Sequence, residues 1–169
     1  IETIMRQQCK PNQIILWLSK EQFKDKSQLP KHINNLVKRG LTIKYCDDLR
    51  SHKKYFYAMQ QMPNSVIITL DDDVYYPNYT VKKLIDTYLS NEDCIICNNA
   101  KKINIIDGQI REYQSWKMLD GDEQVKGYDL LPIGVSGVLY HPKSLNDKVF
   151  EKKFIKENCI HKDDLWLKT

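Results

Sequence analysis

Three consecutive aspartates, Asp71, Asp72 and Asp73, follow the apolar run Val66-Ile67-Ile68-Thr69-Leu70. Carboxylates crowded at the exit of a strand repel one another unless a cation joins them. An oxygen-only donor set suits Mg²⁺ or Mn²⁺, hard cations that keep open positions for phosphate oxygens. A cation held there can hold a diphosphate in turn, and the crevice beyond strand ends is where open α/β sheets place their ligands. The same run also reads as a solvated acidic loop, although Val74-Tyr75-Tyr76-Pro77 behind it do not resemble a solvated tail. A calcium loop of the EF-hand type is excluded, because its spacing would require glycine at Tyr76 and glutamate at Lys82.

Three other segments carry chemistry-bearing residues. In His161-Lys162-Asp163-Asp164-Leu165-Trp166, an acidic pair enters a helix. That is a favourable charge arrangement for a helix start. Two adjacent carboxylates beside Trp166 can also raise the pKa of one of them, giving a base able to deprotonate a hydroxyl. In Leu131 to Tyr140, Gly134 and Gly137 flank Val135-Ser136 ahead of a strand. The glycines either let the backbone approach a ligand closely or mark a bulge or tight turn. In Asp48-Leu49-Arg50-Ser51-His52-Lys53-Lys54, a lysine near a helix start contacts a phosphate or simply extends into water.

The elements that must position these residues follow from apolar spacing and breakers. Ile1, Ile4 and Met5 share a helical face, and Lys10-Pro11-Asn12 ends it. Ile14 to Leu18 and Leu41 to Cys46 read as strands, separated by a helix through Ile33, Leu36 and Val37 that stops at Gly40. A helix from Lys53 to Met62 precedes the strand that delivers the aspartates. A helix with Val81, Leu84, Ile85 and Tyr88 follows, then a buried strand from Cys94 to Cys97. Ile103 to Ile106, Asp107-Gly108 and Gln109 to Tyr113 read as a hairpin with a type I′ turn. A glycine-spaced loop from Asp120 to Gly127 leads to a last strand, Val138 to Tyr140, ended by Pro142. Alternating strands and helices in the first half predict a mixed, mostly parallel α/β sheet flanked by helices, in one domain over 1–169. The second half is expected to be more irregular.

Composition narrows the function classes. The 169 residues are 41% hydrophobic and 28% charged, which suits one domain with a real core. The formal net charge of +4 is spread thinly and forms no basic stripe with interleaved aromatics, so nucleic acid is not expected as a partner. No apolar run approaches the ~20 residues needed to span a bilayer. The chain opens without methionine or secretory leader, so it is expected to be a piece of a longer protein working in the cytoplasm, or at the inner face of the membrane through peripheral association. Five cysteines in no regular pattern do not describe a disulfide framework. Cys94 and Cys97, three apart on a strand, face opposite sides and do not converge. The Asn78-Tyr79-Thr80 sequon is expected to be idle without secretion.

Taken together, the order of these features resembles one family. Asp-Leu is followed by Lys-Lys, then an apolar strand into Asp-Asp-Asp, then Tyr113-x-x-Trp116, Gly-Val-Ser-Gly-Val-Leu-Tyr and Asp-Asp-Leu-Trp. From Lys10 to Thr169 the chain is similar to bacterial GT-A-type glycosyltransferases near family 2, of the sort found in capsule and lipopolysaccharide gene clusters. The resemblance implies an incomplete GT-A (Rossmann-like) sheet, because such domains open with a central strand that would precede Ile1. It implies a nucleotide-sugar donor, with UDP-sugars favoured, and a saccharide or lipid-linked acceptor. Asp73 and Asp71 would ligate Mn²⁺ or Mg²⁺. Lys54, Asp48, Asp71 and Asp72 would contact the nucleotide sugar. Trp116, Gly134, Ser136 and Gly137 would line the acceptor side. Asp164 would be the general base, supported by Asp163, and in-line attack would invert the anomeric centre.

Two rival readings stand beside this one. A HAD-like phosphatase also opens on an apolar strand into Asp-x-Asp, but its motif wants Thr or Val where Tyr75 stands. The other is a non-catalytic carbohydrate- or nucleotide-binding remnant of a transferase.

Overall fold

The computed structural model describes residues 1–119 and 124–168. The first half runs α1 (Glu2–Met5), β1 (Ile14–Ser19), α2 (Ile33–Lys38), β2 (Leu41–Cys46), α3 (Lys53–Gln61) and β3 (Ile67–Thr69). Gly40 ends α2 at φ +108°, a left-handed conformation that residues with a Cβ rarely adopt. β1 and β2 pair in parallel, from Ile14 opposite Leu41 to Ser19 opposite Cys46. Ile33 and Leu36 of α2 bury themselves against Leu41, with Ile14, Leu16 and Ile43 around them. α3 packs on both β1 and β3, its Ala58 joining Trp17 and Cys46 while Ile67 closes on the same cluster.

The second half runs α4 (Thr80–Leu89), β4 (Ile96–Cys97), β5 (Ala100–Lys102), β6 (Ile105–Ile106), β7 (Gln109–Ile110), β8 (Lys117–Met118), β9 (Leu130–Pro132) and β10 (Val138–Tyr140). It closes with α5 (Lys152–Phe154), which continues into a π-helical turn at Ile155–Cys159, and α6 (Asp163–Trp166). The expected hairpin is present but short: β6 and β7 join through Asp107 at φ +52° and Gly108 at φ +73°, both left-handed as a type I′ turn requires. The run from Cys94 to Cys97 yields only the two-residue, half-buried β4, and both cysteines are free. Within the glycine-spaced loop, 120–123 lie outside the described residues.

The architecture is mixed α/β, but the expectation of a mostly parallel sheet is corrected. Among the described residues the strands form small sheets, β1-β2, β3-β10-β4, β8-β5-β9 and β6-β7, and β1 with β2 is the parallel pair. β10 pairs antiparallel with β3 on one side and with β4 on the other. β3 and β4 therefore do run in the same direction, joined through α4 as strand–helix alternation suggests, yet β10 lies between them. Local periodicity reports the direction of β3 and β4. It carries no information about a strand arriving some seventy residues later.

That insertion positions the site. Because Val138 sits opposite Thr69, the start of β10 lies beside the end of β3. The Gly134–Gly137 segment is thereby brought next to Leu70 and Asp71. A second packing unit seats the C-terminal acids: Leu49, Tyr55, Phe56 and Ile155 are fully buried together, with Phe150, Trp166 and Leu167 packed on them. Each such large apolar side chain contributes about 2–3 kcal/mol by leaving water. Among the described residues no helix is long and apolar enough to cross a membrane.

Candidate functional site

Four segments distant in sequence meet around one ammonium group. Lys54, in the first turn of α3, places Nζ 2.9 Å from Oδ1 of Asp71 and 2.9 Å from Oδ2 of Asp163. The flanking Asp164 accepts the backbone N–H of Gly134 on both oxygens, at 3.2 and 3.1 Å. Glycine is required at position 134 by this approach: a Cβ there would stand 2.5 Å from Asp164 Oδ1 and 3.0 Å from Lys54 Nζ. Gly137 is required for a different reason. Its φ is +94°, and a Cβ would press to 2.9 Å from Leu70.

Electrostatics divide the two late acids. Burial alone would raise the Asp163 pKa, but the Lys54 charge, with a hydrogen bond from Ser51, outweighs it and holds the carboxyl below its ordinary value. Burial raises Asp164 above the ordinary value, and the neighbouring Asp163 charge adds to it against the opposing Gly134 N–H. Lys54 is held charged: burial works to lower its pKa, but Asp163 and Asp71 together raise it. Asp163 is therefore a fixed anion, while Asp164 is the more basic carboxylate. This is the division between partner and proton acceptor that general-base chemistry needs.

The aspartate triplet does not act as one unit. Asp71 turns to Lys54, whereas Asp72 and Asp73 are exposed and line a cleft of about 670 Å³. His32, Asn35 and Arg39, in and at the two ends of α2, line it as well, as does Tyr75. That volume is in the usual range for a small-molecule site. A smaller cleft of about 380 Å³, lined by Lys10, Asn12, Gln13 and Gly40 among others, contains none of these acids.

As donors for a metal, the triplet offers carboxylate oxygens only, which fits Mn²⁺ or Mg²⁺ in kind. Among the described residues no three His, Cys, Asp or Glu side chains close on a single point. Asp71 is already paired with Lys54, so the described residues present no ready-made ligand set.

Of the remaining residues singled out in the sequence, Ser136 joins the site and Asp48 and Trp116 stand apart from it. Ser136 Oγ accepts from Asn99 at 2.8 Å, and Ser136 O accepts from Asn98 at 2.9 Å, which anchors the glycine segment to the end of β4. Asp48 pairs with Lys53 at 2.5 Å and accepts the Arg50 N–H at 3.0 Å, at the carboxyl end of β2. Trp116 packs against Tyr113 with the rings tilted by 53° and their centroids 5.1 Å apart, and donates Nε1–H to Arg111 O at 2.8 Å. It joins none of the contacts around Lys54.

Two supporting residues escaped sequence reasoning. The buried Tyr76 hydroxyl accepts the Asp71 N–H at 2.9 Å and donates to Val135 O at 2.8 Å, tying the triplet to the glycine segment. His52 is fully buried, with Nε2 2.9 Å from Cys159 O and Nδ1 3.0 Å from the Tyr55 hydroxyl. A carbonyl can only accept, so Nε2 carries the proton and Nδ1 accepts from Tyr55. This bond fixes the end of the π-helical turn, four residues before Asp163. Such turns recur at functional sites, but no sequence pattern announces them.

No family model matches the chain, and no characterised protein or solved structure matches it at a significant level.

Proposed function

We propose that this protein is a metal-dependent glycosyltransferase that moves a sugar from a nucleotide-sugar donor to a saccharide or lipid-linked acceptor hydroxyl. The observation that carries the reading is the meeting of Asp71, Lys54, Gly134 and the Asp163–Asp164 pair at one point. An acidic strand exit and a second acidic pair of unequal basicity are what such a transfer needs on the two sides of a sugar.

In this reading Asp72 and Asp73 face the donor in the cleft. Asp73 and Asp71 would hold Mn²⁺ or Mg²⁺. When bound, the cation neutralises the departing diphosphate. Lys54 adds a fixed positive charge on the same side. Asp164, oriented by the Gly134 N–H, takes the acceptor's proton as the glycosidic bond forms. Asp163 keeps Lys54 in place, its carboxyl held, against its burial, below the ordinary value by the Lys54 charge. In-line attack by a hydroxyl held at Asp164 inverts the anomeric centre. Gly134, Ser136 and Gly137 line the acceptor side.

The sheet is read as part of a GT-A arrangement. In support, α3 packs on both β1 and β3 although these two strands do not pair with each other. A GT-A sheet has a strand between them.

The test is transfer assayed on the full-length protein with a panel of nucleotide sugars and Mn²⁺, alongside Asp164→Asn. Transfer that is lost in Asp164→Asn, with nucleotide binding retained, supports the reading. Transfer that survives the substitution removes Asp164 as base. Nucleotide binding without transfer to any acceptor in the wild-type protein favours a non-catalytic binding module instead.

A further inference from the structure

The two acids on Lys54 differ in how far solvent reaches them. The Asp163 side chain is 11% exposed, on a helix whose Trp166 donates Nε1–H to Val149 O at 3.0 Å. The Asp71 side chain is 30% exposed, and its backbone is held separately, by the Tyr76 hydroxyl on its N–H. The Asp71 carboxylate can therefore leave Lys54 by side-chain rotation, with β3 and the glycine segment still in place. Lys54 then keeps Asp163.

The Lys54–Asp71 pair bears directly on the cation. Asp71 is one of the two carboxylates assigned to Mn²⁺ or Mg²⁺, yet an ammonium 2.9 Å away already matches its charge. A divalent ion brought to Asp71 meets a like charge bonded to the same carboxylate and largely withdrawn from water, where repulsion is poorly screened. Lys54 in turn loses one of its anions if Asp71 leaves. An ammonium has three donors and serves phosphate as readily as carboxylate. A diphosphate oxygen is thus the group that can replace Asp71 on Lys54.

We propose that Lys54 is a tethered counter-ion that couples cation binding to diphosphate binding. It holds Asp71 in the absence of donor and releases it by taking a phosphate oxygen in exchange, while Asp163 keeps it in place. This rests on the transferase reading and adds to it an order of assembly: cation and nucleoside diphosphate each bind weakly alone and tightly together.

The experiment is calorimetric titration of Mn²⁺ into the full-length protein, alone and with UDP or GDP, with the same nucleotide in buffer as the blank. In the wild type, nucleotide is expected to tighten Mn²⁺ binding about tenfold or more, within the usual range of coupling between sites. Lys54→Met frees Asp71, so Mn²⁺ alone should bind about tenfold tighter and the gain from nucleotide should vanish. Because that variant loses stability, Asp71→Asn is measured beside it, which leaves Lys54 on Asp163. Its affinity for Mn²⁺ alone should match the wild type, and the gain from nucleotide should again be lost. Equal Mn²⁺ affinity with and without nucleotide in the wild type overturns the exchange and leaves the transferase reading standing. So does an unchanged affinity for Mn²⁺ alone in Lys54→Met, or a weakened one in Asp71→Asn, since Asp71 would then serve the cation without any exchange. Failure of Mn²⁺ to bind with either nucleotide present overturns the transferase reading and the exchange with it.

Discussion

Lys54 Nζ and Asp163 Oδ2 lie 2.9 Å apart, and the same ammonium is 2.9 Å from Asp71 Oδ1. One cation thus joins the end of β3 to the start of α6, which no local element links. The Asp163 and Lys54 side chains are only 11% and 18% exposed, so the pair is largely withdrawn from water. Breaking a buried pair by removing one partner is costly, since it strands the other charge. Lys54→Met should destabilise the protein by about 3 kcal/mol. Denaturant unfolding would measure this, and a loss much below 1 kcal/mol would mean that the acids are already relieved by water.

Gly134→Ala tests the close approach at Asp164. The new methyl would lie 2.5 Å from Asp164 Oδ1, so the carboxylate or the 134–136 turn must move. Overpacking of this kind costs about 1–3 kcal/mol. Transfer should fall more steeply than stability, because the base loses the N–H that orients it. Thermal unfolding beside a transfer assay separates the two effects.

Asp164→Asn should leave the protein as stable as the wild type, or more stable, at neutral pH. The folded state raises the Asp164 pKa, chiefly by burial. A raised carboxyl favours folding while protonated, and that contribution is lost as pH rises through the folded pKa. Asparagine removes the ionisation and can still accept from Gly134 N–H through its amide oxygen. Unfolding curves at pH 7 test the sign; a clear loss of stability would show that the ionised form is favoured.

His52 predicts a pH dependence of stability. Burial lowers its pKa from 6.5, even though the Cys159 carbonyl and Asp163 oppose this. The unfolded chain therefore takes up the proton first. Stability is full above about pH 6.5 and declines as pH falls toward the folded pKa. His52→Gln should flatten that decline, as read from denaturant midpoints across the window.

Tyr76→Phe removes the hydroxyl that accepts from Asp71 N and donates to Val135 O. With two backbone groups left to find other partners, a cost of about 1–3 kcal/mol is expected. Calorimetric unfolding would show it.

What the sequence reveals and what it hides divides along the range of the interactions. Gly40 and the Asp107-Gly108 turn were legible because a left-handed residue is a local demand. So were β1, β2 and α2 to α4, whose apolar spacing is set within a dozen residues. The clustering of Lys54, Asp71, Gly134 and Asp163–Asp164 was legible only through the order of the motifs. The insertion of β10 between β3 and β4 was not legible, because the partners of a strand are chosen by the whole chain. Neither Tyr76 nor the His52–Cys159 bond left a mark in spacing, since each is a single contact satisfied only once the elements are in place.

The central claim is tested most directly by thermal unfolding of the full-length protein with UDP and GDP, with and without Mn²⁺, in wild type and Asp73→Ala. Binding to the native state raises the midpoint by mass action. The account predicts a nucleotide-dependent rise that requires Mn²⁺ and disappears in Asp73→Ala. The absence of any nucleotide response with Mn²⁺ present, or an equal response in Asp73→Ala, would contradict it.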